Sequence, residues 1–321
     1  MPPTLVDPNP EAGFHYPYFL RVPEDPGPET ILVEPTCSAH PSDNFDDHLQ
    51  QAEERATRAT GRTIADELRI PFVHPVFPRP VSDPVDWTHY IHSLDAETLR
   101  ITDPPLNRVD LQLLSMFDDA RERLADHGYH TGEKFLLNGF SASGTFVNRF
   151  AALHPERVLS VTAGGLNGMA VLPVMQPTDL PLEIPSEFVS RLDCLPYPVG
   201  VGDLVELIDA PFDLEAFREV NQFLYLGGQD TNDSLLYPDA WTGINARAAA
   251  ILVYGEDIHN ERFPRCETVY DELGIPAIFQ TYAEADHTPL PAVNDIIEFH
   301  SRTLSGEPIE DIRVAIDSNQ R

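Results

Sequence analysis

The chain has 321 residues, enough for one large α/β domain or two small ones. Acidic residues outnumber basic ones 52 to 21, the net charge is −31, and Lys134 is the only lysine. Such a surface does not attract nucleic acid or anionic membrane through counterion release, and no apolar run approaches membrane-spanning length, so both partners are excluded.

In chain order, residues 1–13 are rich in Pro and read as extended. Residues 14–22 are aromatic and β-prone, and Pro17 within them predicts an edge strand. Ile31-Leu32-Val33 is a buried strand leading into Pro35-Thr36-Cys37-Ser38. A polar, helix-favouring segment spans 44–68, and 70–77 is the next strand. Residues 81–107 are irregular. Across 109–127, Leu113, Phe117, Ala120 and Leu124 recur at helical spacing, the stripe of a core-facing helix.

The chain is organised around 135–151. An apolar strand, Phe135-Leu136-Leu137, runs into Asn138-Gly139-Phe140-Ser141-Ala142-Ser143-Gly144 and continues as a helix. Gly two positions before a Ser at a strand-to-helix turn is the pattern of a nucleophile elbow, which strains the Ser backbone and lifts its hydroxyl above the sheet edge. Ser143 occupies the position where Gly is usual after the nucleophile, and Gly144 follows. The other register, with Ser143 as nucleophile, puts Ser141 and Thr145 at the Gly positions and is rejected.

Beyond it, 158–162 is a strand, and 169–215 carries seven prolines among apolar residues. Residues 220–226 form a strand ending at Gly227-Gly228-Gln229-Asp230. Two helices follow at 245–254 and 262–273, although Ala246–Val253 also reads as a strand. Residues 277–282 are the last strand, followed by Asp286-His287 and a closing helix. The residues after Thr303 read as an exposed acidic tail. Strands alternating with helices predict a mostly parallel sheet covered on both faces.

These features resemble the α/β-hydrolase superfamily, in particular its esterase and polyester-depolymerase-like branch, where such an elbow precedes a helix ending in a segment like 150–158. The resemblance covers about residues 14–304. It implies an α/β-hydrolase fold in a single domain, 1–321, with 169–215 as a cap insertion over the active site. It also implies that nucleophile, acid and base follow in the order Ser, acid, His.

A serine hydroxyl needs a base within reach, and the base needs an orienting acid. Ser141 is the expected nucleophile. Of twelve histidines, His287 stands where this fold places its base, after the last strand. Asp230, after an apolar strand, is the preferred acid, with Asp257 as the alternative if Ala246–Val253 is a strand. The Ala142 N–H is one expected oxyanion donor. The loop after the first parallel strand supplies the other, from Thr36 or Cys37, although the family's usual His-Gly pair is absent.

His89 and His92 are three apart but have no neighbouring Cys, so no metal is expected, and the chemistry calls for no cofactor. The expected activity is hydrolysis of a small-molecule ester; amide or peptide hydrolysis and a catalytically silent scaffold are the alternatives. Three unpaired cysteines and an N-terminus without a basic, apolar leader point to a cytoplasmic protein. Acids spread along the whole chain suit concentrated salt, where self-repulsion is screened, and resemble halophile proteins.

Overall fold

The computed structural model describes residues 2–37, 41–82, 93–190, 192–236 and 244–319. The His89/His92 pair lies outside them.

The described strands are β1 (Thr4–Val6), β2 (Tyr18–Arg21), β3 (Leu32–Val33), β4 (Phe72–Pro75), β5 (Phe135–Phe140), β6 (Val158–Gly164), β7 (Asn221–Gly227) and β8 (Ala277–Tyr282). They form one sheet in the order β1-β2-β4-β3-β5-β6-β7-β8. The β1–β2 and β2–β4 pairings are antiparallel and the rest parallel. Pro17 therefore does not mark an edge. It precedes β2, which is paired on both sides, and its carbonyl accepts from Val76 N–H. The edge strand on that side is β1, from the Pro-rich stretch read as merely extended.

The described helices are α1 (Phe45–Arg58), α2 (Thr60–Leu68), α3 (Ala96–Arg100), α4 (Val109–Asp126), α5 (Ala142–Leu153), α6 (Ser186–Val189), α7 (Leu204–Ile208), α8 (Leu214–Arg218), α9 (Ile244–Tyr254), α10 (Phe263–Glu272), α11 (Val293–Leu304) and α12 (Ile309–Asn319). None of them is long and apolar enough to cross a membrane. Residues on each strand alternate between two cores, as the period-2 pleat requires. Leu137 and Leu224 face a core shared with α4, α5, α9 and α10, while Leu136 and Phe223 face one shared with α2, α11 and α12.

Two segments differ from the sequence reading. The supposed acidic tail contains α12, with Ile312 and Ile316 fully buried and Arg313 Nη2 donating to the Ala277 carbonyl of β8 at 2.7 Å. The ambiguous Ala-rich segment is a helix, α9, with Ala249, Ala250 and Val253 buried. In 169–215 short helices alternate with coil, yet Val171, Leu172, Val174, Leu195 and Tyr197 are buried.

Parallel strands from β3 to β8 all end on one edge of the sheet. Such a sheet binds ligands outside the carboxyl ends of its strands, and Ser141, Asp230 and His287 all follow strand ends there.

Candidate active site

Ser141 stands between β5 and α5 with φ 61° and ψ −125°, the strained backbone of an elbow. Its N–H donates to Gly164 O at 2.9 Å, and its carbonyl accepts from Thr145 N–H at 2.9 Å. The turn is too tight for side chains at two flanking positions. A Cβ on Gly139 would lie 2.3 Å from Ser143 O, and one on Gly144 would lie 2.3 Å from Gly164 O. Ser143 is tolerated because its hydroxyl is used. It accepts from Phe140 N–H at 3.1 Å and donates to Phe140 O at 2.9 Å, and its residue is buried. That serine is a brace across the turn.

His287 Nδ1 lies 2.7 Å from Asp230 Oδ2. The carboxylate only accepts, so Nδ1 carries the hydrogen and Nε2 the lone pair. Asp230 is 4% exposed, and its other oxygen accepts from Asn232 N–H at 2.9 Å. Glycine brings the two residues together. A Cβ on Gly227 would lie 2.1 Å from Asp286 O, so only Gly lets the turn before His287 cross the end of β7. The Gln229 N–H, donating to Ala285 O at 2.8 Å, holds that crossing. The Phe140 ring, next to Ser141, packs against the His287 ring at 4.7 Å between centroids.

Asp257 is engaged elsewhere. It follows a helix, and its carboxylate accepts from His259 N–H at 2.9 Å and Asn260 N–H at 2.7 Å, capping the π-helical turn Ile258–Arg262. Hydrogen bonds from Asn260, backbone first, hold its carboxyl below the usual range. Of the two candidate acids, only Asp230 is brought to His287.

Ala142 is the first residue of α5, where backbone N–H groups have no partner within the helix. On the other side, the Thr36 N–H donates to Pro75 O at 3.0 Å, and its hydroxyl accepts from Phe77 N–H at 3.2 Å. Thr36 thus continues the β3–β4 ladder, which removes it as an oxyanion donor. Among the described residues the Cys37 N–H has no backbone acceptor.

A Ser–His hydrogen bond among the described residues is a core pair. Ser160 Oγ lies 2.9 Å from His300 Nδ1, both fully buried between β6 and α11. Burial pushes the His300 imidazole down to about 3, so it stays neutral. Among the described residues no cluster of three or more His, Cys, Asp or Glu is placed to hold a metal.

The sequence reading missed the groups around the acid turn. Arg262, 2% exposed, forks the Asp233 carboxylate at 2.7 and 3.0 Å. It also donates to the carbonyls of Gly255, Glu256 and Asn167, at 3.2, 2.6 and 3.3 Å. The His259 ring lies 2.9 Å from the Asp230 carbonyl. Asn232 Nδ2 sits 3.3 Å from His287 Nε2, the nitrogen that a serine proton must reach.

No protein-family model and no curated protein matches the sequence. Solved structures do. Poly(aspartic acid) hydrolase-1 from Sphingomonas sp. KT-1 superposes with a TM-score of 0.53 at 17% identity, over 92% of this chain and 96% of that one. A poly(3-hydroxybutyrate) depolymerase from Bordetella parapertussis gives 0.51 at 14% identity, over 97% of this chain and 93% of that one. The chain has the α/β-hydrolase fold. Both likenesses span nearly the whole chain.

Proposed function

We propose that this α/β-hydrolase-fold chain is a serine hydrolase that cleaves carboxylic esters through an acyl-enzyme intermediate. The observation that carries the reading is the 2.7 Å bond between His287 Nδ1 and Asp230 Oδ2, at the same sheet edge as the strained Ser141. A carboxylate-bound imidazole with its lone pair on Nε2 is a base, and a serine lifted by an elbow is the group it serves.

In this mechanism Ser141 Oγ adds to the ester carbonyl while His287 Nε2 takes the hydroxyl proton. Asp230 holds the ring and stabilises the imidazolium. The oxyanion is held by the Ala142 N–H and, across the site, by the Cys37 N–H. The tetrahedral intermediate collapses, the C–O bond to the alcohol breaks, and His287 returns its proton to that alcohol. Water then repeats the sequence on the acyl-Ser141 ester and releases the acid. The Asn232 amide must leave His287 Nε2 before Ser141 can use it, so substrate entry displaces a weak 3.3 Å contact.

Pre-steady-state hydrolysis of a 4-nitrophenyl ester tests the proposal. A burst of one nitrophenolate per chain, absent in Ser141→Ala, is expected. Turnover without a Ser141-dependent burst overturns the acyl-enzyme, and no turnover of any ester leaves a silent scaffold. A matched 4-nitroanilide decides between ester and amide; the named substrate of the poly(aspartic acid) hydrolase makes that comparison worth running.

A further inference from the structure

Beside the elbow helix lies a cavity of about 40 Å³, lined among others by Thr145, Arg149, Asn167, Met169, Ser234 and Tyr254. That volume holds about three water molecules, or one carboxylate. Its charge is unusual for this chain. Acids outnumber bases 52 to 21, yet among the described residues no Asp or Glu lines this cavity and one Arg does. Three other buried or half-buried arginines meet carboxylates: Arg262 meets Asp233, Arg157 meets Asp118 and Arg108 meets Asp110, whereas Arg247 donates only to the Leu235 carbonyl. Arg149 makes one hydrogen bond among the described residues, to the neutral Ser93 carbonyl at 2.9 Å. A guanidinium carries five N–H donors, so most of its capacity is unspent.

The cavity borders the helix that begins at the nucleophile. Thr145 and Arg149 are four and eight residues beyond Ser141 and lie on its face of α5. The Arg149 Cα is about 12 Å along the helix from Ser141. Helical side chains lean toward the N-terminus, so a long side chain at 149 leaves the helix on the side of its Ser141 end. A group tethered through Ser141 Oγ as an acyl chain of a few methylenes spans the remaining distance in both half-reactions.

Resting on the esterase reading above, we propose that this cavity is an anion subsite that selects esters whose acyl chain ends in a carboxylate, with Arg149 as its charged ligand. The partner is a small dicarboxylic acid monoester. The pairing supplies charge-assisted hydrogen bonds that a methyl-terminated chain lacks.

The test compares mono-4-nitrophenyl adipate with 4-nitrophenyl hexanoate, the same chain length without the carboxylate. Assays run in molar KCl, where the Debye length is about 3 Å and repulsion from the remote acids is screened. The wild-type protein is expected to prefer the adipate ester in kcat/KM. Arg149→Met should reduce that preference tenfold or more, chiefly through KM, and Arg149→Lys should keep part of it. A preference that is absent, or identical in Arg149→Met, overturns the subsite. If neither ester is cleaved by the wild type, the esterase reading fails instead. Should Arg149→Met not fold, adipate dianion is tested as an inhibitor of hexanoate ester hydrolysis by the wild type. Competitive inhibition by adipate, and none by neutral dimethyl adipate, supports the subsite; equal or absent inhibition overturns it.

Discussion

Replacing Arg262 by Met removes the cation that joins the acid turn to its neighbours. The side chain is 2% exposed and Asp233 is 11% exposed, so the carboxylate left behind loses a forked pair at 2.7 and 3.0 Å without gaining water. Three carbonyls lose a donor as well. Breaking a buried pair from one side costs about 3–5 kcal/mol, a large share of the roughly 5–15 kcal/mol that holds a domain together. The unfolding midpoint should fall by roughly 4–8 °C. Removing both charges, in Arg262→Met with Asp233→Leu, should recover most of that loss, because the penalty comes from the unpaired carboxylate. Turnover should behave differently. Asp233 lies three residues after Asp230, and Arg262 also ties that turn to Asn167. Freeing the turn shifts the acid that orients His287, and a shift of about 1 Å costs on the order of 100-fold in rate. The double variant should therefore regain stability but not turnover. Thermal unfolding and single-turnover ester hydrolysis on the four proteins of this cycle measure both. An Arg262→Met protein within about 1 kcal/mol of wild type would refute the reasoning.

Asp230→Asn should lower turnover by several orders of magnitude, about 10⁴ in trypsin-type triads, because the amide favours the wrong imidazole tautomer. Asp257→Asn should cost far less, and steady-state kinetics giving the reverse order would transfer the role. The fully buried His300 has a folded-state value near 3, below its unfolded value, so its contribution is complete above about pH 6.5 and is lost as pH falls. By pH 5 that loss reaches about 2 kcal/mol, and His300→Gln should flatten the midpoint's decline between pH 7 and 5; an unchanged slope excludes His300 as a cause. From the net charge of −31, the midpoint and ester hydrolysis should both rise between tenths-molar and molar KCl. A midpoint that is flat or falls across the series means the acids do not oppose folding.

Local signals made much of the fold legible. Phe135-Leu136-Leu137 before Gly139-x-Ser141 announced strand and turn together, and Gly227-Gly228 marked a close crossing that the structure places against Ala285 and Asp286. Where residues act at a distance, the sequence was silent. The Arg262–Asp233 pair joins positions 29 apart, and no periodicity reports it. Thr36 looked like a free backbone donor because the reach of the β3–β4 ladder to Pro75 depends on pairing, not composition. Asp257 stayed open because Ala-rich helix and strand look alike until α9 is seen packed against the core. In α12 the spacing of Ile309, Ile312 and Ile316 was present, but the surrounding acids drew attention to charge instead.

Labelling with a tagged fluorophosphonate, followed by tryptic digestion and fragment sequencing, tests the central claim most directly. Cleavage after Lys134 and Arg149 isolates residues 135–149, which hold both Ser141 and Ser143. The label should sit on Ser141, vanish in Ser141→Ala and persist in Ser143→Ala. A label on Ser143 or on a serine outside that peptide, or no label on folded wild-type protein, would contradict the assignment of Ser141 as the nucleophile.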